Sequence, residues 1–207
     1  MKKLIILTAT LTMVTVLSGC LSTLHPLFTE KELVFDTRLL GRWQAGDGND
    51  IATFEQGTPA NFDQLPEAMR KLSNKGYLVT IKDDNTVAKY YAFLTSLGKQ
   101  LYIDYYPCEN AKQSKYDDFY KQHLVKMHSF YRIRFNDDQS FETSQFDEDF
   151  LKQLIDKKQI RIKYEVRWDG NYIITASTSE LQQYVLKYGD VPDAYYKESN
   201  AVYKKLP

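Results

Sequence analysis

The sequence predicts a mainly β protein, an antiparallel up-and-down barrel with two or three short helices. Two observations carry that expectation. Nine to ten stretches alternate apolar and polar residues and are separated by short clusters of Gly, Asp and Asn, the pattern of half-buried strands joined as hairpins. An amphipathic helix then precedes a final strand. Closing such a meander into a barrel leaves no sheet edge unpaired. Composition agrees, since 16 Tyr and 11 Phe against 9 Gly and 6 Pro belong to a chain that folds around a core.

The chain opens with Lys2 and Lys3, then an uncharged, largely apolar run over residues 4–17, then Ser18 and Gly19 before Cys20. That is the order of a secretory signal. The run is too short for a membrane span, which takes about 20 helical residues. The tetrad Leu17-Ser18-Gly19-Cys20 resembles the bacterial lipobox. The resemblance implies a cleaved signal peptide over residues 1–19, transfer of diacylglycerol to the Cys20 thiol, and acylation of its new amino group. The competing reading is an ordinary secretory signal with an incidental cysteine. Leu21 rather than Asp follows Cys20. In enteric-type bacteria that resemblance favours the outer membrane, so the expected location is the cell envelope, on a membrane-anchored lipoprotein facing the periplasm.

Loss of residues 1–19 removes Lys2 and Lys3 and leaves 25 basic against 27 acidic side chains. A nearly neutral protein has no basic field for phosphates, which argues against nucleic acid as a partner. With Cys20 acylated, Cys108 is the only other cysteine, so no internal disulfide is expected.

Residues 20–38 form an anchor and N-terminal segment too apolar for a free linker, with Leu27, Phe28, Leu33, Val34 and Phe35 expected to pack on the domain. The domain proper runs over 39–207. Its first strand opens on Gly41-Arg42-Trp43. This Gly-x-Trp resembles the start of lipocalin and lipocalin-like domains, where the Trp closes the barrel base and the Gly permits close backbone approach. The run from His25-Pro26-Leu27 to Trp43 also resembles a group of bacterial lipoproteins that carry such a domain. Second and third lipocalin motifs are missing, and Ile103-Asp104-Tyr105 is a loose echo of one.

Strands are expected at 40–45, 51–55, 77–82, 86–96, 100–106, 125–135, 140–146, 160–168, 171–176 and 200–205. Turns fall at Gly46-Asp47-Gly48-Asn49, Asp83-Asp84-Asn85, Gly98-Lys99, Asn136-Asp137-Asp138 and Asp169-Gly170. The alternation Ile160, Ile162, Tyr164, Val166, Trp168 is the most regular. Helices are expected at 64–74, at 148–157 behind the cap Asp147, and at 178–188 behind a Ser177/Glu180 capping box. The long polar loop 107–122 is placed over one barrel mouth.

No nucleophile elbow, zinc-protease helix, phosphate loop or paired-cysteine motif is present. His123 and His128 are weak metal candidates, since residues five apart point to opposite faces of a strand. No metal and no cofactor are expected, and a non-enzymatic role is favoured; an enzyme of unknown class ranks last, since catalytic triads can assemble from residues far apart in sequence. The aromatic supply is the distinctive feature. An aromatic lumen can hold a small apolar ligand, or the rings can fill the barrel and leave its loops to dock another envelope protein. Tyr91, Phe93, Tyr131, Tyr164 and Trp168 are the expected cavity lining. Parity alone does not say which face of 86–96 turns inward, because Tyr91 and Phe93 share one face while Tyr90, Ala92 and Leu94 share the other.

Overall fold

The computed structural model describes residues 21–46, 48–83, 86–109, 117–136, 139–197 and 200–207. The lipobox tetrad and the turn residues Asp47, Asp84, Asn85, Asp137 and Asp138 lie outside them. In chain order the strands are β1 (Ser22–Thr23), β2 (Leu33–Val34), β3 (Gly41–Ala45), β4 (Ile51–Gln56), β5 (Gly76–Lys82), β6 (Val87–Leu97), β7 (Gln100–Pro107), β8 (His128–Phe135), β9 (Ser140–Gln145), β10 (Tyr164–Val166), β11 (Tyr172–Ile174) and β12 (Ala201–Lys205). The helices are α1 (Glu67–Arg70), α2 (Asp118–Lys121), α3 (Glu148–Asp156) and α4 (Thr178–Tyr188).

Strands β3 to β9 pair in sequence order, and β12 inserts antiparallel between β3 and β9. The result is a closed, eight-stranded antiparallel barrel, a lipocalin-like architecture. After β9 the described residues 146–197 leave the barrel and build α3, β10, β11 and α4 outside it before β12 returns. Asp147 accepts from the Asp149 and Phe150 amides at the start of α3, and Ser177 and Glu180 complete a reciprocal capping box on α4, so both helices begin where their capping residues dictate.

Both faces of the wall are buried along β6 and β7. Inward-facing Tyr77, Val79, Ala92, Leu94, Ile103, Ile133, Phe54, Trp43 and Phe141 form the lumen core. Outward-facing Tyr102 and Phe130 lie under α3, α4 and the Phe146–Tyr195 bridge. Outward-facing Tyr91 and Phe93 lie under Phe28 and Phe62. Burial on both faces explains why alternation reads poorly on β6, where a continuous apolar run replaces it.

The segment 21–38 is part of this wall. β1 pairs parallel to β11 and antiparallel to β8, and β2 pairs with β6. Leu21, Leu27, Phe28 and Leu33 are buried, and Val34 and Phe35 are half-buried against the lumen core. From α4, Thr178 donates to the Pro26 carbonyl at 2.8 Å and Gln182 to the Leu27 carbonyl at 3.0 Å.

Three expectations need correction. The strand expected at 160–168 pairs only over Tyr164–Val166, because it is an edge strand with one neighbour. Ile162 is buried, but Trp168 is 95% exposed. The helix expected at 64–74 shortens to α1 and a 3-10 turn at Ser73–Lys75. Pro66 precedes α1 as its uncapped N-terminal residue, and packing of Leu65 and Met69 rather than helix length holds the segment down. Within the loop 107–122, α2 forms, a turn too short to show in the sequence.

Burial holds the phenols of Tyr77, Tyr91, Tyr102, Tyr105 and Tyr184 above their ordinary value of 10.0. In the unfolded chain they ionise near that value, whereas the folded chain keeps them neutral to higher pH. Their contribution to stability is thus complete below pH 10.0 and is lost as pH rises above it. In an alkaline titration, the phenolate absorbance of these rings is expected to rise together with loss of the β circular-dichroism signal. Smooth ionisation of every tyrosine with the β signal intact would refute the burial described.

Candidate functional site

The two ends of the lumen differ. At the closed end, Trp43 packs edge-on to Phe141 at 4.7 Å and its Nε1 donates to the Leu39 carbonyl at 2.8 Å. Leu39 belongs to a 3-10 turn, Thr37–Leu39, that Asp36 caps through the Arg38 amide. Two cations sit over the rings there, Arg38 at 4.0 Å from Phe135 and the Lys205 ammonium at 5.2 Å from Trp43. Gly41 has φ +115°, and a Cβ there would lie 3.3 Å from the Lys205 side chain. The backbone angle favours a glycine there, while the Lys205 side chain could shift by a few tenths of an ångström to admit a Cβ. The structure places Gly41 and Trp43 at this base, where Arg38, Trp43, Phe135 and Lys205 also line a second cavity of about 330 Å³.

At the other end the lumen is open. A cavity of about 460 Å³ is lined by Ile81, Tyr90, Tyr105, Ser129, Tyr131, Thr143, Gln145, Asn200, Ala201 and Tyr203. These side chains come from β5, β6, β7, β8, β9, β12 and the residue before β12, so the barrel itself builds the pocket. Tyr105 is at its centre, edge-on to Tyr90 at 6.0 Å and to Tyr131 at 5.9 Å. Burial raises the Tyr105 phenol well above its ordinary range, and Tyr203, Tyr131 and Tyr90 add to the effect. Burial also raises Tyr203, against a hydrogen bond with Thr143 that lowers it. At neutral pH these phenols are neutral donors and acceptors on apolar rings. Among the described residues, no Asp, Glu, His, Lys, Arg or Cys lines the cavity. The site can enclose a flat or amphipathic apolar molecule and bond its polar edge.

Of the lining expected from the sequence, Tyr131 faces this cavity. The other four do not. Tyr91 and Phe93 point out of the barrel into the cluster with Phe28 and Phe62, because the opposite face of β6 turns inward. Tyr164 stacks on Tyr172 at 4.6 Å, outside the barrel. Trp168 stands in solvent on the β10–β11 turn. Tyr90 and Tyr105 share their strand faces with the lumen residues Ala92, Leu94 and Ile103, but parity alone does not mark that face as the inward one. Tyr203 sits in a strand of five residues, too short for its parity to be read. No described residue of 107–122 lines the mouth; Glu109 instead donates its amide to the Gln64 side chain at 2.8 Å.

The two histidines have separate surroundings. His123 is exposed, with Nδ1 2.7 Å from the Phe119 carbonyl. His128 is buried, and its Nδ1 donates at 2.7 Å to Asp104, a carboxylate 1% exposed that also accepts from the Leu27 amide at 2.7 Å. Among the described residues no three His, Cys, Asp or Glu side chains converge as metal ligands. Cys108 is a free, buried thiol, and burial raises its ionisation above the ordinary value. A thiol so placed is a packing residue rather than a nucleophile.

Asp104 thus ties the N-terminal segment to the outer wall of the barrel. Asp104→Ala leaves both His128 and the Leu27 amide unpartnered in the interior and is expected to cost about 3 kcal/mol in urea unfolding. Asp104→Asn, which retains an acceptor, should cost less. Equal, negligible losses in both variants would show that the pair holds nothing.

A scan of family models finds no match to this chain, and neither curated proteins nor solved structures yield one. The lipocalin-like barrel and its tyrosine-lined mouth are what its architecture establishes.

Proposed function

We propose that this protein is a lipid-anchored component of a bacterial cell envelope that binds a small apolar or amphipathic ligand in the open half of its barrel, without catalysis. The cavity of about 460 Å³ walled by Tyr90, Tyr105, Tyr131 and Tyr203 carries this reading. Its volume falls within the range of small-molecule sites, about 300–1,000 Å³. Phenols held neutral are poor acids and bases near pH 7, and among the described residues no other titratable side chain lines the site, so this lining favours retention over reaction. The anchor rests on Leu17-Ser18-Gly19-Cys20 and its resemblance to the lipobox, which assigns Cys20 as the acylated residue and favours the outer membrane, facing the periplasm.

Native mass spectrometry of protein purified from its own membranes is expected to show a bound small molecule that dissociates on denaturation. Ala201→Trp, which puts an indole into the mouth, should reduce occupancy at least about tenfold while the barrel remains folded. Undiminished occupancy in this variant would remove the lumen as the site. Separately, Cys20→Ser is expected to abolish incorporation of labelled fatty acid and to move the protein out of the membrane fraction. Unchanged acylation would assign the anchor elsewhere.

A further inference from the structure

The described residues begin with Leu21, one residue after the proposed acylated cysteine. Leu21 is 2% exposed, and β1 starts at Ser22, fixed between β8 and β11. One residue extends the chain by at most about 3.6 Å. An acyl anchor on Cys20 therefore has no tether, and whatever lies beside Leu21 lies close to the lipid.

The parallel register Ser22↔Ile173 sets Leu21 abreast of Tyr172, at the end of β11 that joins the β10–β11 turn. The turn is held shape by hydrogen bonds from the Arg167 amide to the Asn171 carbonyl at 2.8 Å and from the Gly170 amide to the Arg167 carbonyl at 2.9 Å. Gly170, at φ +83°, takes a backbone conformation that other residues resist. The Arg167–Asp169 ion pair at 3.0 Å crosses the apex, and the Tyr164–Tyr172 stack stiffens the hairpin behind it. This ordered apex presents Trp168, 95% exposed, and Val166, 58% exposed. With neighbouring strands about 4.8 Å apart, the apex lies roughly 10 Å to the side of Leu21. Residues 157–170 carry five basic side chains (Lys157, Lys158, Arg161, Lys163 and Arg167) against the acidic Glu165 and Asp169, in a mature chain that is otherwise slightly acidic.

From these observations we infer that the β10–β11 turn is a membrane-contacting element, with Trp168 seated in the interface of the anionic phospholipid surface to which Cys20 ties the domain. Tryptophan partitions to the headgroup region, and excess Lys and Arg favour anionic lipid. A hairpin apex held by its own hydrogen bonds loses little freedom on docking. The inference rests on the acylation of Cys20.

The chain has two tryptophans, and Trp43 is buried in the barrel base, so Trp168 is its surface reporter. The mature acylated protein is reconstituted into vesicles of phosphatidylethanolamine and phosphatidylglycerol, with and without brominated acyl chains. Bromine is expected to lower the emission by about half, the accessible indole of the two. Trp168→Ser, a change at an exposed position, should leave an emission that bromine does not quench. Unquenched Trp168 in protein that is acylated and vesicle-bound overturns the inference and leaves the anchor standing. A blue shift of Trp168 without quenching also overturns it, and assigns the apex to a second copy or a protein partner. A mature chain whose mass lacks acyl groups, measured before vesicles are added, refutes the anchor and this inference together.

Discussion

Closure of the barrel by β12 is the constraint on which the other features depend. β3 and β9 would each present an open edge without it, and β12 satisfies both, Tyr203 lying opposite Ala45 on one side and Phe141 on the other. The same strand supplies Lys205 to the closed base and Ala201 and Tyr203 to the open mouth. Five residues therefore complete the sheet, seal one end of the lumen and line the other. The register leaves no slack, because a slip of one residue would turn Tyr203 outward and Lys204 into the lumen.

Within the closed wall, burial on both faces explains the division of the lumen. Large rings fill the base, where Trp43, Phe54, Tyr77 and Phe141 meet from four strands. Toward the mouth the inward tyrosines alternate with Ser129, Thr143, Gln145 and Ala201, which are too small or too polar to fill the space between the rings. The barrel is thus neither solid nor hollow throughout. The outer face is covered by the insert 146–197 on one side and by the N-terminal segment with 58–72 on another, which is why this barrel has three hydrophobic clusters.

The strands of the barrel were legible in the sequence because their turns are marked by Gly, Asp and Asn and because hairpins are local. The caps Asp147 and Ser177 likewise located α3 and α4 to within a residue or two. The site was less legible. Alternation tells which residues share a face, but a wall buried on both sides gives no polar face to identify the lumen, so alternation alone admits Tyr91 and Phe93 to it as readily as Tyr90 and Tyr105. Trp168 followed a regular apolar alternation to a surface position because that alternation ran beyond the last paired residue of an edge strand. The pairs β1 and β2 have two residues each and carry no periodicity at all.

The position of β12 also sets the order in which the chain can fold. The ladders of β3 to β9 join neighbours in sequence, but the final closure joins residue 45 to residue 203, and α4 must be present before the carbonyls of Pro26 and Leu27 find their donors. Contacts of such long sequence separation form late and slowly. A chain short of residue 201 carries an incomplete barrel with two exposed edges. Until β12 is in place, β3 and β9 carry unpaired backbone groups along their edges, the surface through which incomplete β-sheets associate with other chains.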